Sequence, residues 1–153
     1  MSIKIFLDFK RNIDIELLKD GVRLELIRIL AKIRFATKQG WTDYYKAILD
    51  TGSPTSIIPF SIWQEIKTIP LSTRKIKLYG IGSKEESTIS GKMANLTCAL
   101  LDEKSSSPPL IIKAYLVEDD SVPLILGFDG ILTKSKFFCD YKNKTAYLEI
   151  SLA

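Results

Sequence analysis

The fold is decided by the stretch Ala47-Ile-Leu-Asp-Thr-Gly-Ser-Pro-Thr-Ser-Ile-Ile-Pro59. An apolar segment ends in an acid, the chain turns at Thr51-Gly52-Ser53, and a second apolar segment follows. Such a turn exposes the Asp50 carboxylate on a sharp loop, where backbone N–H groups and hydroxyls can hold it. Gly52 lets another backbone or a substrate approach closely. On its own, the tripeptide Asp50-Thr51-Gly52 also fits an ordinary Asx turn between two strands.

The composition limits the chemistry that this loop can perform. The chain has 153 residues, which favours one domain with a proper core, and it has no histidine. Catalysis of the Ser-His-Asp or Cys-His type and a histidine-ligated zinc are therefore excluded. The two cysteines, Cys98 and Cys139, form no disulfide framework or CxxC pair, so we expect free thiols that are buried or partly buried. Catalysis must then use carboxylates, hydroxyls, lysines or tyrosines.

The positive charge is concentrated near the start of the chain. Residues 1–49 carry ten basic and six acidic side chains, whereas residues 50–153 carry twelve of each. We interpret the excess as the outward side of an amphipathic element, with a nucleic-acid surface as the weaker alternative. The N-terminus lacks the apolar core of a signal peptide, and no apolar run approaches a membrane span. The sequence therefore predicts a cytoplasmic protein with no membrane partner.

Short segments rich in Ile, Leu, Val, Tyr and Phe, separated by Gly and Pro, predict a mostly β domain. The stretch Val22–Phe35 is ambiguous, because its alternation of apolar residues slips after Leu26. A long strand with a bulge would explain the slip, and a helix over Glu25–Lys32 is the alternative. Short helices are expected at Ile13–Lys19 and Phe60–Ile66, with a helical turn within Phe128–Lys136. The predicted strands are Ile3–Phe9, Val22–Phe35, Tyr44–Leu49, Ser56–Ile58, Lys75–Leu78, Ile89–Leu101, Leu110–Val117, Leu124–Leu126, Phe137–Tyr141 and Thr145–Ile150.

With apolar residues on both sides, Asp50-Thr51-Gly52-Ser53 resembles the catalytic loop of aspartic proteases, and the chain length points to their single-lobe, retropepsin-like branch. Two later segments match the family in the same order. Leu78-Tyr-Gly-Ile-Gly-Ser83 resembles the flap, a hairpin that covers bound peptide. Pro123-Leu-Ile-Leu-Gly-Phe-Asp-Gly-Ile-Leu132 is similar to the segment that packs behind the catalytic loop, with Leu126-Gly127 at its centre. The resemblance implies that the flap residues contact substrate; they are Tyr79, Gly80, Ile81, Gly82 and Ser83.

One position departs from the family pattern. Retroviral members usually have Arg-Asp or Arg-Asn after the glycine, whereas this chain has Phe128-Asp129. The change removes a salt bridge that would support the dimer or the following helix. The resemblance otherwise implies a mostly β fold, a closed β-barrel-like acid-protease lobe with short helices. We expect residues 1–153 to form one such domain, with residues 1–40 as an N-terminal extension or arm packed on it.

The implied mechanism needs two carboxylates that share a proton, and the chain has one Asp-Thr-Gly. The resemblance therefore implies a homodimer in which each copy contributes Asp50. Thr51 would bond across the two loops, and Ser53 would bond the outer carboxylate oxygen. The strands Ile3–Phe9 and Thr145–Ile150 would interleave in the dimer.

The predicted function is an aspartic endopeptidase that hydrolyses extended, largely apolar peptide segments, without a metal or another cofactor. The alternative is a catalytically inactive retropepsin-like module that binds peptide or mediates dimerisation.

Overall fold

The computed structural model describes residues 1–78 and 89–152. The helices there are α1 (Ile15–Lys19) and α2 (Phe60–Trp63), and a 3₁₀ turn spans Leu132–Lys134. None of the helices in this part of the chain is long and apolar enough to cross a bilayer. The strands are β1 (Ser2–Phe6), β2 (Asp8–Ile13), β3 (Glu25–Thr37), β4 (Gly40–Trp41), β5 (Tyr45–Leu49), β6 (Ser56–Ile58), β7 (Thr68–Pro70), β8 (Ile76–Leu78), β9 (Ile89–Leu101), β10 (Leu110–Val117), β11 (Ile125–Leu126), β12 (Ser135–Asp140) and β13 (Thr145–Ser151).

The two ends of the chain meet in a three-stranded antiparallel sheet with β13 between β1 and β12. Ser2 lies opposite Ser151, and the N–H of Leu152 donates to the carbonyl oxygen of Met1 at 3.1 Å. Alternate residues of a strand point to the same face of the sheet. One face of this sheet is apolar, and Ile5 and Leu148 are completely buried on it.

The remaining strands form one large sheet in the order β2-β3-β5-β11-β6-β10-β9-β7, with β4 beside β3 and β8 beside β9. Two of its pairings are parallel, β5 with β11 and β6 with β10. Strand β3 also pairs with β9, so Phe35 lies opposite Cys98. The chain is therefore mostly β, as the sequence predicts.

The core lies between the two sheets and takes side chains from both. Phe35, Ile112 and Leu126 from the large sheet and Leu148 from the terminal sheet all belong to one buried cluster. Residues in β6 are buried on both faces of the strand. Its short apolar run reflects this position, because a strand that is covered on both sides needs no polar alternation.

The long stretch that the sequence left ambiguous is a strand, so the helical alternative over Glu25–Lys32 is wrong. The bulge is also absent, since β2 and β3 pair in unbroken register from Asp8–Leu30 to Ile13–Glu25. The slip has another cause: Leu26 and Ile27 both remain exposed, at 42% and 44%. The first half of β3 extends beyond the core and pairs only with β2, so no face of it is selected for burial.

Several boundaries differ from the prediction for local reasons. The predicted strand Ile3–Phe9 is two strands that separate at Leu7, whose N–H donates to Ala146. Helix α1 starts later than expected because the Asp14 carboxylate accepts the N–H of Leu17 at 3.1 Å and caps the helix. Helix α2 ends at Trp63, three residues early, whereas the helical turn expected within Phe128–Lys136 is present as the 3₁₀ turn at Leu132–Lys134.

Candidate active site

Asp50 follows the last residue of β5, where two parallel strands end side by side. Strand β5 pairs with β11, with Ile48 opposite Ile125 and Leu49 opposite Leu126. The N–H of Asp50 donates to the carbonyl oxygen of Leu126 at 2.9 Å, which continues this pairing by one residue. The backbone of Asp50 is therefore fixed by a buried strand, and its half-buried side chain stands at the strand end.

The carboxylate of Asp50 is oriented by its own turn. Its Oδ1 accepts the N–H of Gly52 at 2.8 Å, and its carbonyl oxygen accepts the N–H of Ser53 at 3.3 Å. This is the geometry of an Asx turn, so the Asx reading of the sequence and a positioned carboxylate describe the same loop. A Cβ on Gly52 would lie 3.2 Å from Oδ1, closer than a side chain normally packs. Thr51 is exposed at the tip of the loop.

The hydroxyl of Ser53 does not have the role that the sequence suggested. It donates to the carbonyl oxygen of Thr55 at 2.5 Å rather than to the carboxylate of Asp50. The reason is local, since the chain folds back at Pro54 and brings the Thr55 carbonyl within reach. In this chain, the Ser53 hydroxyl therefore closes the loop on itself.

The segment after β11 packs directly behind the loop. The N–H of Phe128 donates to the carbonyl oxygen of Ser53 at 2.9 Å, and that of Asp129 donates to Pro54 at 3.0 Å. A Cβ on Gly127 would lie only 2.4 Å from the carbonyl oxygens of Ser53 and Thr55. Gly127 is therefore required by close contact of two backbones, which is the arrangement expected for Leu126-Gly127.

Two other acids, Asp129 and Asp140, are engaged elsewhere in the fold. Asp129 accepts the N–H of Lys113 at 3.1 Å, and its second oxygen lies 3.8 Å from the ammonium group of Lys113. Asp140 caps the turn between β12 and β13 by accepting from Asn143. Asp129 thus keeps an ion pair, with a lysine from β10, although Phe128 replaces the basic residue of the family pattern.

The predicted flap residues Tyr79, Gly80, Ile81, Gly82 and Ser83 lie outside the described residues. The strands that lead to and from this segment are described. Strands β8 and β9 pair antiparallel, with Leu78 opposite Ile89 and Ile76 opposite Gly91.

Sequence reasoning missed one residue that supports the loop. Ser56 is completely buried in β6, and its hydroxyl accepts the N–H of Gly127 at 3.2 Å. A buried hydroxyl needs such a partner, and the bond ties the second apolar segment to the Leu126-Gly127 segment. The available signal was the serine at the start of an otherwise apolar run. No group of three or more metal-ligating side chains is found in residues 1–78 and 89–152.

No protein-family model matches the chain, and no curated protein sequence matches it. The crystal structure of a retropepsin-like aspartic protease from Rickettsia conorii aligns over the whole chain and 95% of its own, with a TM-score of 0.55 at 16% identity. The EIAV protease complexed with the inhibitor HBY-793 aligns over 65% of this chain and 81% of its own, with a TM-score of 0.40 at 17% identity. Because the alignment with the Rickettsia conorii protein covers the whole chain, we conclude that the chain has a retropepsin-like fold.

Proposed function

We propose that this protein is an aspartic endopeptidase whose active site forms between two copies of the chain. The observation that carries the proposal is the Asp50 loop, in which a half-buried carboxylate is held by the N–H of Gly52 and its backbone is fixed by Leu126. The Asx turn needs only a side-chain oxygen, which asparagine would also supply, so the charge of Asp50 is not required by the turn and is available for chemistry. The fold likeness to an aspartic protease supports the same function.

The reaction uses the carboxylates and one water molecule. Two Asp50 groups facing each other across a two-fold axis cannot both ionise, so the pair holds one proton. The ionised member removes a proton from water, which attacks the peptide carbonyl carbon, and the protonated member donates to the carbonyl oxygen. No histidine is needed, which agrees with the composition of the chain.

The second carboxylate of the catalytic pair would come from a second copy of the chain. Asp129 and Asp140 are engaged with Lys113 and Asn143, so neither is free to complete the pair. We propose that the exposed Thr51 hydroxyl bonds across to the partner's loop. Strands β1 and β13 pair with each other within one chain, which leaves the outer edges of β1 and β12 for contacts between copies.

Peptide substrate would bind between the Asp50 loop and a flap formed by residues 79–83. The described strands before and after this segment, β8 and β9, pair antiparallel. We further propose that residues 1–153 form one closed β-barrel-like domain. The pairings that run from β3 through β5, β11, β6, β10 and β9 back to β3 support it, and residues 1–40 join the same core through Ile5 and Phe35.

The test is a peptide-library cleavage assay at mildly acidic and neutral pH, with products read by mass spectrometry. We expect cleavage by the wild type and none by Asp50→Asn, which keeps the shape of the side chain and removes its charge. Asp20→Asn, the same change in an exposed turn, is the matched control and should leave cleavage intact. Cleavage by Asp50→Asn at the wild-type rate would refute the proposal, provided that circular dichroism shows all three proteins folded.

The second candidate is an inactive module that binds peptide or mediates dimerisation. It predicts peptide binding or dimers in sedimentation, in either case without cleavage and unchanged by Asp50→Asn. A chain that stays monomeric at every working concentration would exclude the protease and the dimerisation module, because both need a second copy.

A further inference from the structure

A basic and aromatic surface lies on the outer side of β3, β4 and β5. It consists of Lys32 and Arg34 on β3, Trp41 on β4, Tyr44, and Lys46 on β5, and we call it the basic-aromatic face. Lys32 lies directly opposite Lys46 in the strand register, so two ammonium groups leave the same side of neighbouring strands. Like charges in directly opposite positions destabilise a sheet unless something neutralises them.

Both aromatic rings of this face hold a cation. The Lys32 ammonium lies 5.3 Å from the centre of the Tyr44 ring, and the Arg34 guanidinium lies 5.0 Å from the centre of the Trp41 ring. The rings nevertheless stay in contact with solvent, with Tyr44 52% and Trp41 39% exposed. The cation–π contacts therefore hold the rings and the charges together without covering either ring.

Acidic residues adjoin the face at Lys32, which lines a surface pocket together with Asp8, Asp102 and Glu103, but none of them forms an ion pair with its cations. Lys32, Arg34 and Lys46 take part in none of the ion pairs of the described residues, and Arg34 Nε is a buried donor without a hydrogen-bond partner there. The sequence from Arg28 to Leu49 carries five basic side chains and one acid, Asp43. The three cations of the face therefore have no ion-pair partner in the described residues, and a polyanion complements them.

We propose that the basic-aromatic face binds single-stranded nucleic acid. Exposed aromatic rings beside cations are the combination that single-strand binding uses, because bases stack on the rings while phosphates lie against the basic groups. A duplex would engage the cations but would keep its bases stacked inside, away from Trp41 and Tyr44. This combination could not be recognised from the sequence, in which Lys32 and Lys46 are fourteen positions apart.

The face is separate from the candidate active site. Lys46 precedes Asp50 by four residues along an extended strand, a distance of about 13 Å. The proposal therefore does not depend on the proposed protease activity, and Asp50→Asn should bind nucleic acid as the wild type does.

The experiment measures fluorescence anisotropy of labelled oligo-dT and oligo-rU of about 15 nucleotides, and of a duplex of equal length. Three neutralised phosphates predict a slope of log K against log salt of about −2, so binding should weaken roughly fifteen-fold between 50 and 200 mM salt. We expect single strands to bind more tightly than the duplex, and the intrinsic fluorescence of Trp41 to be quenched on binding.

The variants separate charge from stacking. Lys46→Glu should weaken binding by about fivefold or more and make the salt slope shallower. The same substitution places an acid opposite Lys32, so the fold should not be weakened. Trp41→Ala should weaken single-strand binding about fivefold or more and leave duplex binding unchanged, whereas Trp41→Phe should retain binding and lose the quenching.

Lys142→Glu is the matched control, because it makes the same change of charge on the exposed turn between β12 and β13. It should bind as the wild type does. Absence of binding at 50 mM salt would overturn the proposal. So would an equal loss of affinity in Lys142→Glu and Lys46→Glu, or a Trp41→Ala variant that binds single strands normally.

Discussion

The N–H of Phe128 donates to the carbonyl oxygen of Ser53 at 2.9 Å, across 75 positions of the sequence. This bond joins the turn that carries Asp50 to the segment that follows β11. Because Gly127 precedes Phe128 and touches the same carbonyl, the loop and the glycine segment form one rigid unit. The position of the carboxylate is then set by two buried strands instead of by the loop alone.

Gly127→Ala should destabilise the protein strongly. The new methyl group would lie 2.4 Å from two carbonyl oxygens, and backbone atoms cannot move aside cheaply. We expect a loss of about 2–3 kcal/mol in the free energy of unfolding, measured by urea denaturation. Lys134→Ala, an exposed change seven residues later, is the control and should cost less than half as much. Equal stability of Gly127→Ala and wild type would contradict the close contact.

Ser56→Ala should cost about 1–2 kcal/mol, because it leaves the N–H of Gly127 buried without an acceptor. The measurement is again urea denaturation, with Ser56→Thr as the companion variant. Threonine keeps the hydroxyl and should retain more stability than alanine if the bond to Gly127 matters. A larger loss for threonine than for alanine would show that space, and not the hydrogen bond, limits this position.

Asp102→Asn should alter how stability depends on pH. Partial burial raises the pKa of Asp102, but the N–H groups of Phe6, Lys104 and Ser105 lower it by more, so the net pKa lies below 3.8. A carboxyl whose pKa is lowered in the folded state stabilises the fold at pH values above its ordinary pKa. This contribution is lost as the pH falls through the pKa of the folded state.

The thermal midpoint of Asp102→Asn should therefore lie below that of the wild type at pH 7. The difference should shrink as the pH drops below about 4. Glu103→Gln, at the exposed neighbouring position, should follow the wild-type curve. A difference that is constant from pH 7 to pH 2 would assign the effect of Asp102→Asn to packing alone.

The two cysteines should react at different rates with a thiol reagent. Burial raises the pKa of Cys98 to about 12, so its thiol is protonated and shielded, whereas Cys139 is only half-buried. At pH 8 we expect one thiol to be labelled in the folded protein and the second after unfolding in urea. Cys139→Ser should abolish the early label, and labelling of both thiols at one rate would refute this assignment.

Most strand positions along the chain could be predicted because the short apolar segments are separated by turn residues. Leu110–Val117 and Ile89–Leu101 were predicted with their observed limits. Periodicity failed at Leu26 and Ile27 for a physical reason, since it reports which side chains are buried and not whether the chain is extended. In the exposed half of β3 neither face is buried, so the pattern carried no information.

The candidate site was readable only in part. Asp50 could be found because an acid at a turn after an apolar segment is visible in the sequence, whereas Gly127 was identified through the resemblance to aspartic proteases. The hydrogen bond of Ser53 to Thr55, and that of Ser56 to Gly127, depend on how the loop folds back and on pairing between distant segments. Such choices among nearby acceptors follow from three-dimensional position, which no local pattern encodes.

The pairing of β1 with β13 has a consequence for how the protein is made. At about 5–20 residues per second, residues 145–151 are synthesised on the order of ten seconds after residues 2–6. Until then Ile5 has no strand to lie beside and stays outside the core. The terminal sheet thus forms after translation of its last strand, and the nascent chain must be kept from aggregating through its first one.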